Sequence, residues 1–326
     1  MSYDVIALGE LLIDFISCGI SAQNNPIFEA NPGGAPGNVL AMLAKLGKRT
    51  AFIGKVGDDM FGQVLIDSLT KCGISTENVL VDSSAGTTLA FVHNTPDGDR
   101  EFSFFRKPGA DTLLRANDLD LGVIEECSIF HIGTLSLTHQ PSRDATITAV
   151  ATAKAAGALI SLDPNLRPLL WDSPEEAKRQ FAWGMSVCNI LKIAEDELLF
   201  FTGESDSARG IANLRGEYPQ IELILLTKGA AGAEGYWGDL RFSQPAYLSD
   251  ETIDTTGAGD TFMGCCLAHV LDCGLTNPTQ ESLEHMMNIA SSAASLVTTK
   301  KGALMSMPEK PEIRALVEQE ASKQGD

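Results

Sequence analysis

The sequence predicts an α/β fold in which helices cover a mostly parallel sheet. From residue 127 onward the patterns of strands and helices alternate, with a strand at 129–132, a helix at 143–156 and a strand at 159–162. This order is typical of parallel strands joined by crossover helices. The chain has 326 residues, of which 44% are hydrophobic, and this suits one large sheet with a buried core. We therefore expect a single domain over residues 1–326.

Charge and cysteine content restrict the class of protein. The formal net charge is −19 at pH 7, which disfavours nucleic acid and anionic membrane as partners. Seven cysteines occur without a regular spacing, and no charged segment followed by an apolar one opens the chain. Both observations favour a reducing, cytoplasmic location. No apolar run in the sequence is long enough to span a bilayer.

The first strand leads into a segment with a lone acid. Residues 5–8 form a short apolar run closed by Gly9, which is typical of a buried strand. The apolar pattern continues through 11–16, where Asp14 is the one charged residue. A buried carboxylate needs a partner or a ligand hydroxyl, so we expect Asp14 to bind a ligand. The alternative is a turn or edge position open to solvent.

A glycine-rich segment, residues 31–38, precedes a predicted helix. Gly33 and Gly34 allow the backbone to approach a ligand closely, and Asn38 can both donate and accept hydrogen bonds. The alternative is a plain turn in which Asn38 caps the helix. The phosphate-loop pattern G-x-x-x-x-G-K-[ST] is absent, and no G-x-G-x-x-G follows the first strand. This weakens the P-loop and the dinucleotide-binding interpretations.

Two further strands are predicted at 87–95 and 100–106. The residues between them, Pro96-Asp97-Gly98-Asp99, are typical of a hairpin turn. This ribbon is rich in phenylalanine, and we expect Phe91, Phe102 and Phe104 to share a face. The alternative is ordinary packing of half-buried strands.

Residues 254–262, which read D-T-T-G-A-G-D-T-F, carry the strongest chemical signal. A polar turn ends there and an apolar helix begins. The small residues Gly257, Ala258 and Gly259 leave backbone N–H groups at the helix start for an anion, above all a phosphate. Asp260 lies in the first helical turn, where an ionised carboxylate is stabilised and suits a general base. The alternative is an ordinary capped helix.

This stretch resembles the C-terminal signature of the pfkB carbohydrate kinases, the ribokinase-like sugar kinases. Gly33-Gly34-Ala35-Pro36-Gly37-Asn38-Val39 is similar to a second motif of that family, and the resemblance covers nearly the whole chain. It implies a ribokinase-like three-layer α/β/α sandwich with a mostly parallel central sheet. It also implies a small β-sheet lid near 11–32 and 87–111, which pairs two subunits into a homodimer.

The resemblance implies that ATP, with Mg²⁺, phosphorylates a small acceptor. The Gly-Gly-Ala-Pro-x-Asn-Val form and the segment around Arg106 favour D-fructose, which would become fructose 6-phosphate. Asp260 would be the base and residues 257–260 the anion hole. Ribose, 2-keto-3-deoxygluconate or a nucleoside are alternative acceptors. A catalytically silent sugar-binding or regulatory relative, or more distantly a nicotinamide oxidoreductase, are alternatives from other classes.

Further site residues follow from the resemblance alone. The sugar would be bound by Asp14, Gly33, Gly34, Asn38, Phe104, Arg106 and Arg167. The nucleotide would be bound by Lys192, Thr227, Gly229, Gly232, Gly257, Gly259 and Asn288. Glu197 would hold Mg²⁺ through water, although it also suits a helix N-terminal acid. A potassium site would use Asp254, Thr256, Val297, Lys300, Gly302 and Ser306.

Overall fold

The computed structural model of the protein describes residues 2–94 and 100–324. The predicted hairpin turn Pro96-Asp97-Gly98-Asp99 lies outside the described residues. In chain order the strands and helices are β1 (Tyr3–Leu8), β2 (Leu12–Ile20), β3 (Pro26–Gly33), α1 (Ala35–Lys45), β4 (Thr50–Gly57), α2 (Met60–Lys71), β5 (Ser75–Asp82), β6 (Thr88–Asn94), β7 (Arg100–Phe105), α3 (Leu121–Ile124), β8 (Cys127–Ile132), α4 (Ser142–Ala155), β9 (Leu159–Leu162), α5 (Pro174–Val187), β10 (Ile190–Ala194), α6 (Glu195–Thr202), α7 (Ser207–Glu217), β11 (Leu223–Thr227), β12 (Ala233–Trp237), β13 (Leu240–Gln244), α8 (Ala258–Cys273), α9 (Gln280–Val297) and α10 (Lys310–Gln324).

Within the described residues, a nine-stranded sheet forms the centre of the molecule in the order β13-β12-β11-β10-β9-β8-β1-β4-β5. Neighbouring strands from β11 to β5 are parallel, whereas β12 and β13 form an antiparallel edge. β1 lies between β8 and β4, with Ile6 opposite Phe130 and Ala51. The mostly parallel sheet predicted from the alternating pattern is confirmed.

Helices cover both faces of this sheet and bury two hydrophobic clusters. Val5 and Ala7 of β1 belong to the cluster that includes residues of α1, α8 and α9. Ile6 and Leu8 belong to the opposite cluster, with residues of α4, α5 and α7. This division follows from the alternation of side chains along a strand, and it confirms the three-layer α/β/α sandwich. Of the described helices, none combines the length and the apolar composition that crossing a membrane would require.

A smaller sheet, the lid, has the order β3-β2-β6-β7 among the described residues. Ala90 pairs with Phe104 and Phe91 pairs with Ser103. Directly paired residues share a face and successive residues alternate, so Phe91 and Phe104 lie on opposite faces. The expectation that Phe91, Phe102 and Phe104 share a face is therefore wrong for Phe91, because the register places only positions 102 and 104 together.

The fold brings the predicted site segments to one edge of the central sheet. The carboxyl ends of parallel strands meet at the same edge, and ligands of such sheets bind there. The lid strands β2 and β3 follow the carboxyl end of β1, and residues 163–167 follow β9. The turn after β11 and the start of α8 lie in the same region, since both line one cavity.

Candidate active site

Two cavities meet at this edge. One, of about 430 Å³, lies under the lid and is lined by Asp14, Asn38 and Asp260, among others. The other, of about 640 Å³, lies against β11, the turn after it and α9. Thr255 and Gly259 line both cavities. Molecules bound in the two cavities would therefore meet at the start of α8. We call the first of these cavities the lid cavity and the second the α9 cavity.

The start of α8 is shaped by a glycine in the left-handed region. Gly257 has a φ of 80°, and a Cβ added to it would lie 2.5 Å from the Cβ of Ala303. The Ala258 N–H donates to the Thr255 carbonyl oxygen at 3.3 Å. Among the described residues, no backbone carbonyl accepts from the N–H groups of Gly257, Gly259 and Asp260. Three of the four predicted donors thus remain for an anion, whereas Ala258 is used by the turn.

Asp260 is the third residue of this helix and is buried. Its Oδ2 atom accepts a hydrogen bond of 2.7 Å from Asn38 Nδ2. Burial and the nearby Asp163 carboxylate raise the pKa of Asp260 to about 6, against the opposing effects of Asn38, Lys192 and Arg167. Such a carboxyl is ionised at neutral pH but is more basic than an exposed one. It can accept the proton of a hydroxyl group.

Most of the residues predicted to bind a sugar line the lid cavity: Asp14, Gly34, Asn38, Phe104 and Arg167. Burial raises the pKa of Asp14 to about 7, although Arg167 opposes this effect. Gly34 has a φ of 128°, and a Cβ on it would lie 2.3 Å from the Glu10 carbonyl oxygen. Gly33 lies next to Asp14, since a Cβ on it would be 2.9 Å from Asp14 Oδ2.

The sequence predicts that Arg106 reaches the sugar or its phosphate, and Arg106 is not among the residues that line the lid cavity. Its Nε and Nη2 atoms donate to Asp111 Oδ2 at 2.8 and 2.6 Å. Nη1 donates to Thr138 Oγ1, and Nη2 also donates to the Leu135 carbonyl oxygen. The guanidinium is buried in these bonds. Arg106 therefore fastens the exit of the lid to the loop after β8.

Three residues predicted to bind nucleotide, Thr227, Gly229 and Gly232, line the α9 cavity. Gly232 has a φ of 98°, and a Cβ there would lie 2.1 Å from the Gln244 carbonyl oxygen, so the turn needs glycine. Asn288 lies behind the cavity wall instead of in it. Its Oδ1 atom accepts a 3.0 Å hydrogen bond from the hydroxyl of Tyr247, which lines the cavity. Asn288 is thus hydrogen-bonded to a residue of the cavity wall.

Lys192 lies between the cavities. It lines the lid cavity, and a Cβ on Gly259 would be 3.0 Å from Lys192 Nζ. Its ammonium forms an ion pair with Asp163 at 3.0 Å. Burial alone would lower the pKa of Lys192, but the carboxylates of Asp163, Glu197 and Asp260 hold it above its ordinary value. The side chain therefore keeps its positive charge beside the start of α8.

The buried Glu197 carboxylate accepts hydrogen bonds from the backbone of two different segments. Its Oε1 atom accepts the Leu166 N–H at 2.7 Å and its Oε2 atom accepts the Ala194 N–H at 2.8 Å. This is the helix N-terminal arrangement that the sequence left as an alternative. The carboxylates that line the α9 cavity in this region belong to Glu195 and Asp196.

The residues of the predicted potassium site lie in a loop before α8 and in a segment that runs from the end of α9 to residue 306, and a hydrogen bond joins the two. Asp254 Oδ1 accepts from the Thr256 N–H and hydroxyl, and Asp254 Oδ2 accepts from the Gly302 N–H at 3.2 Å. At the end of α9 the Val297 carbonyl oxygen accepts from the Lys300 N–H, and in the loop that follows Ser306 Oγ donates to the Lys301 carbonyl oxygen. In residues 2–94 and 100–324, no cluster of three His, Cys, Asp or Glu side chains could hold a metal.

Sequence reasoning missed Glu10 and Lys301, which also line the lid cavity. Glu10 is buried and its Oε1 atom accepts the Ala35 N–H at 3.1 Å, while burial raises its pKa to about 7. An acid between two buried apolar runs is a signal that could have identified Glu10, as a lone acid within an apolar run identified Asp14. Lys301 lies in the loop that the resemblance assigns to the potassium site, but no sequence signal indicated that its side chain lines the lid cavity.

A sequence model described as pfkB family carbohydrate kinase matches residues 3–310. The chain belongs to the pfkB family of carbohydrate kinases. Among similar proteins, the probable fructokinase-4 of Arabidopsis thaliana is 40% identical over 315 residues, 96% of each chain. The fructokinase of Xylella fastidiosa with bound ATP superimposes with a TM-score of 0.88 at 29% identity, over 98% of this chain and 99% of that one.

A third similar protein is a double mutant of the Vibrio cholerae O395 fructokinase in its fructose, ADP and potassium ion bound form. It superimposes with a TM-score of 0.85 at 30% identity, over 97% of this chain and 99% of that one. The likeness covers the central sheet and the lid together.

Proposed function

We propose that this pfkB kinase is an ATP-dependent fructokinase, which converts D-fructose and ATP to fructose 6-phosphate and ADP. The observation that carries the proposal is the position of Asp260. A buried carboxylate and three backbone N–H groups lie where the two cavities share a wall. This is the arrangement that phosphoryl transfer between two bound molecules requires. Fructose is favoured because relatives similar over nearly the whole chain are named fructokinases.

In this proposal fructose occupies the lid cavity and ATP the α9 cavity. Asp14, Asn38 and Arg167 hold the sugar hydroxyls, and Asp260 takes the proton from the primary hydroxyl. The hydroxyl oxygen bonds to the γ-phosphorus as the bond from that phosphorus to the bridging oxygen breaks. ADP leaves with that oxygen. The amides at Gly257, Gly259 and Asp260 stabilise the charge on the transferring group.

Magnesium belongs to the proposal as the cation that accompanies ATP. Carboxylate oxygens are ligands that Mg²⁺ accepts, directly or through water, so Glu195 and Asp196 fit it at the cavity wall. Glu197 fits only as a support behind them, because both of its oxygens accept backbone N–H groups. When bound, the ion would neutralise phosphate charge.

Potassium is proposed for the loops at Asp254 and 300–306. A carboxylate and backbone carbonyl oxygens are hard ligands that suit such a cation. Asp254 and Thr256 also line the lid cavity, so an ion held there would act close to the anion hole. We further propose a cytoplasmic location, since the described cysteines are free thiols.

An ADP-release assay across a panel of sugars tests the reaction and the acceptor. With MgATP and KCl, wild type should turn over fructose faster than ribose or adenosine. Omission of K⁺ should lower the rate. Asp260→Asn should bind ATP as wild type does but lose about 10³-fold or more in kcat. Near-normal turnover of this variant would remove the proposed base, and turnover of another sugar alone would correct the acceptor.

One observation favours a second candidate acceptor. The cations of Arg167, Lys192 and Lys301 all line the lid cavity, so a sugar acid such as 2-keto-3-deoxygluconate would find a partner for its carboxylate. The same panel separates the two. A kcat/KM for the sugar acid above that for fructose would establish this alternative.

A further inference from the structure

A buried carboxylate outside the predicted site lies beneath the start of α8. Asp163 directly follows β9 and is 1% exposed. Its Oδ1 atom accepts a hydrogen bond of 3.1 Å from Lys192 Nζ, and its Oδ2 atom lies 3.0 Å from the same nitrogen as an ion-pair contact. Because β9 and β10 are parallel neighbours, the two side chains reach the same edge of the sheet.

Lys192 points at the place where the two cavities meet. A Cβ added to Gly259 would lie 3.0 Å from Lys192 Nζ and 3.4 Å from its Cε. Gly259 lines both cavities. A lysine ammonium on its flexible stem has many orientations, and a buried carboxylate that is ion-paired and hydrogen-bonded to it restricts them. The absence of a side chain at Gly259 leaves the space that the ammonium uses.

The backbone around Asp163 is itself fixed. The Asp163 N–H donates to the Ile132 carbonyl oxygen at 3.1 Å. The next carbonyl, that of Pro164, accepts from both the N–H and the hydroxyl of Thr134, at 3.2 and 2.5 Å. Asp163 is therefore held to β8 and its following loop, and it can hold Lys192 in turn.

The charged groups that act on Asp260 come from several elements. Asp163 raises the pKa of Asp260, whereas Lys192 of β10 and Arg167 of the loop after β9 lower it, as does the hydrogen bond from Asn38 of α1. The Asp14 carboxyl of β2 interacts with Asp260 as well. Asp163 itself interacts electrostatically with Lys192, with Glu197 of α6 and with the buried His131 of β8.

We propose that Asp163 is a positioning residue for phosphoryl transfer, which holds the Lys192 ammonium against Gly259 and sets the charge around Asp260. This inference rests on the proposed kinase function. Lys192 would then meet the transferring phosphoryl group only as it moves from one cavity to the other. Asp163 would act through Lys192 and Asp260 and would touch neither substrate.

The test compares Asp163→Asn with Lys192→Met in pH profiles of kcat/KM for fructose. Asp163→Asn removes a negative charge, so the acidic limb should move to lower pH by about half a unit or more. Lys192→Met removes a positive charge, so the acidic limb of the profile for this variant should move to higher pH. In both variants kcat should fall about tenfold or more while the KM for fructose stays within about threefold.

The control is Asp111→Asn, which breaks the buried pair with Arg106 away from α8. This variant should leave the acidic limb where wild type has it, whatever its effect on stability. Shifts of the same sign in Asp163→Asn and Lys192→Met, or an unchanged limb and kcat in Asp163→Asn, would overturn the proposal. If Asp163→Asn does not fold, Lys192→Met decides, and an unmoved limb in that variant overturns the proposal.

A second readout is independent of turnover. A ¹³C NMR titration of the aspartate carboxyls, with Asp260 assigned by the signal lost in Asp260→Asn, should show the same opposite shifts of the Asp260 pKa. Absence of fructose turnover in wild type would count against the proposed function. Absence of the NMR shifts would count against the role of Asp163. The two failures can therefore be distinguished.

Discussion

Asp260 combines two properties that have one cause. Burial raises its pKa to about 6, with a further contribution from Asp163, against Asn38, Lys192 and Arg167. Near neutral pH the carboxylate is therefore ionised and unusually basic for an aspartate, as a general base requires. The same burial makes ionisation unfavourable for the folded state. Reactivity and stability are thus opposed at this residue.

The first residue-scale prediction concerns pH and activity. Because protonated Asp260 cannot accept the hydroxyl proton, kcat/KM for fructose should fall about tenfold per pH unit below about pH 6. Initial rates between pH 5 and 8 would measure this. Return of full activity after a brief exposure to pH 5 controls for unfolding. A rate that is flat down to pH 5 would contradict the assignment of Asp260 as the base.

The second residue-scale prediction concerns how the stability of the fold depends on pH. The folded-state pKa of about 6 lies above the ordinary value of 3.8, so this carboxyl destabilises the fold as pH rises through that interval. The cost at higher pH is on the order of 3 kcal/mol. Asp260→Asn removes the charge. Its Tm without ligands should exceed that of wild type at pH 8, and the difference should shrink at pH 5, where the wild-type carboxyl is mostly protonated.

Differential scanning fluorimetry at the two pH values would test the second prediction. A lower Tm for Asp260→Asn at pH 8 would show that the carboxylate stabilises the fold, contrary to the expected sign.

At the scale of elements, Asp59 joins a helix to the base of the lid. Its Oδ1 atom accepts from the N–H groups of Phe61 and Gly62 at the start of α2. The same carboxylate accepts the N–H and the hydroxyl of Thr87, which directly precedes β6. Although partial burial opposes it, these hydrogen bonds lower the pKa of Asp59. One side chain thus caps α2 and fixes where the lid begins.

The element-scale prediction is that Asp59→Ala weakens both the cap of α2 and the attachment of the lid. Loss of the cap alone should reduce the free energy of unfolding by about 1 kcal/mol or more. A less fixed lid should raise the KM for fructose several-fold with little change in the KM for ATP. The matched control is Asp58→Ala, since Asp58 is exposed and should change stability by less than about 0.5 kcal/mol. Equal effects of the two substitutions would contradict the role of Asp59.

On the scale of the whole molecule, the lid has an outer aromatic face. Phe15, Phe28, Phe91 and Phe105 form this face, opposite the residues that line the lid cavity. Phe91 stacks on Phe15 at 4.8 Å and contacts Phe28 and Phe105 edge-on. Phe105 is 64% exposed. We propose that a second copy of the chain covers this face and forms a homodimer, because exposed aromatic patches mark interaction sites.

The whole-molecule prediction is that Phe105→Ser shifts the protein from dimer to monomer. Sedimentation velocity over a range of concentrations would measure the shift. Leu169→Ser is the control, because Leu169 is also highly exposed, at 72%, but lies after β9 and outside the lid. A wild-type protein that is monomeric at all concentrations would exclude the dimer.

The sequence by itself determined the class of fold, the pfkB resemblance and the acid at the start of α8. These are local properties: apolar periodicity defines strands and helices, and small residues before a helix define an anion site. The tertiary structure decided which side chains share a cavity. It placed Arg106 against Asp111 and Asn288 behind Tyr247, and it joined Asp163 to Lys192. Such pairings depend on the register of distant segments at one sheet edge, and no local pattern encodes that register.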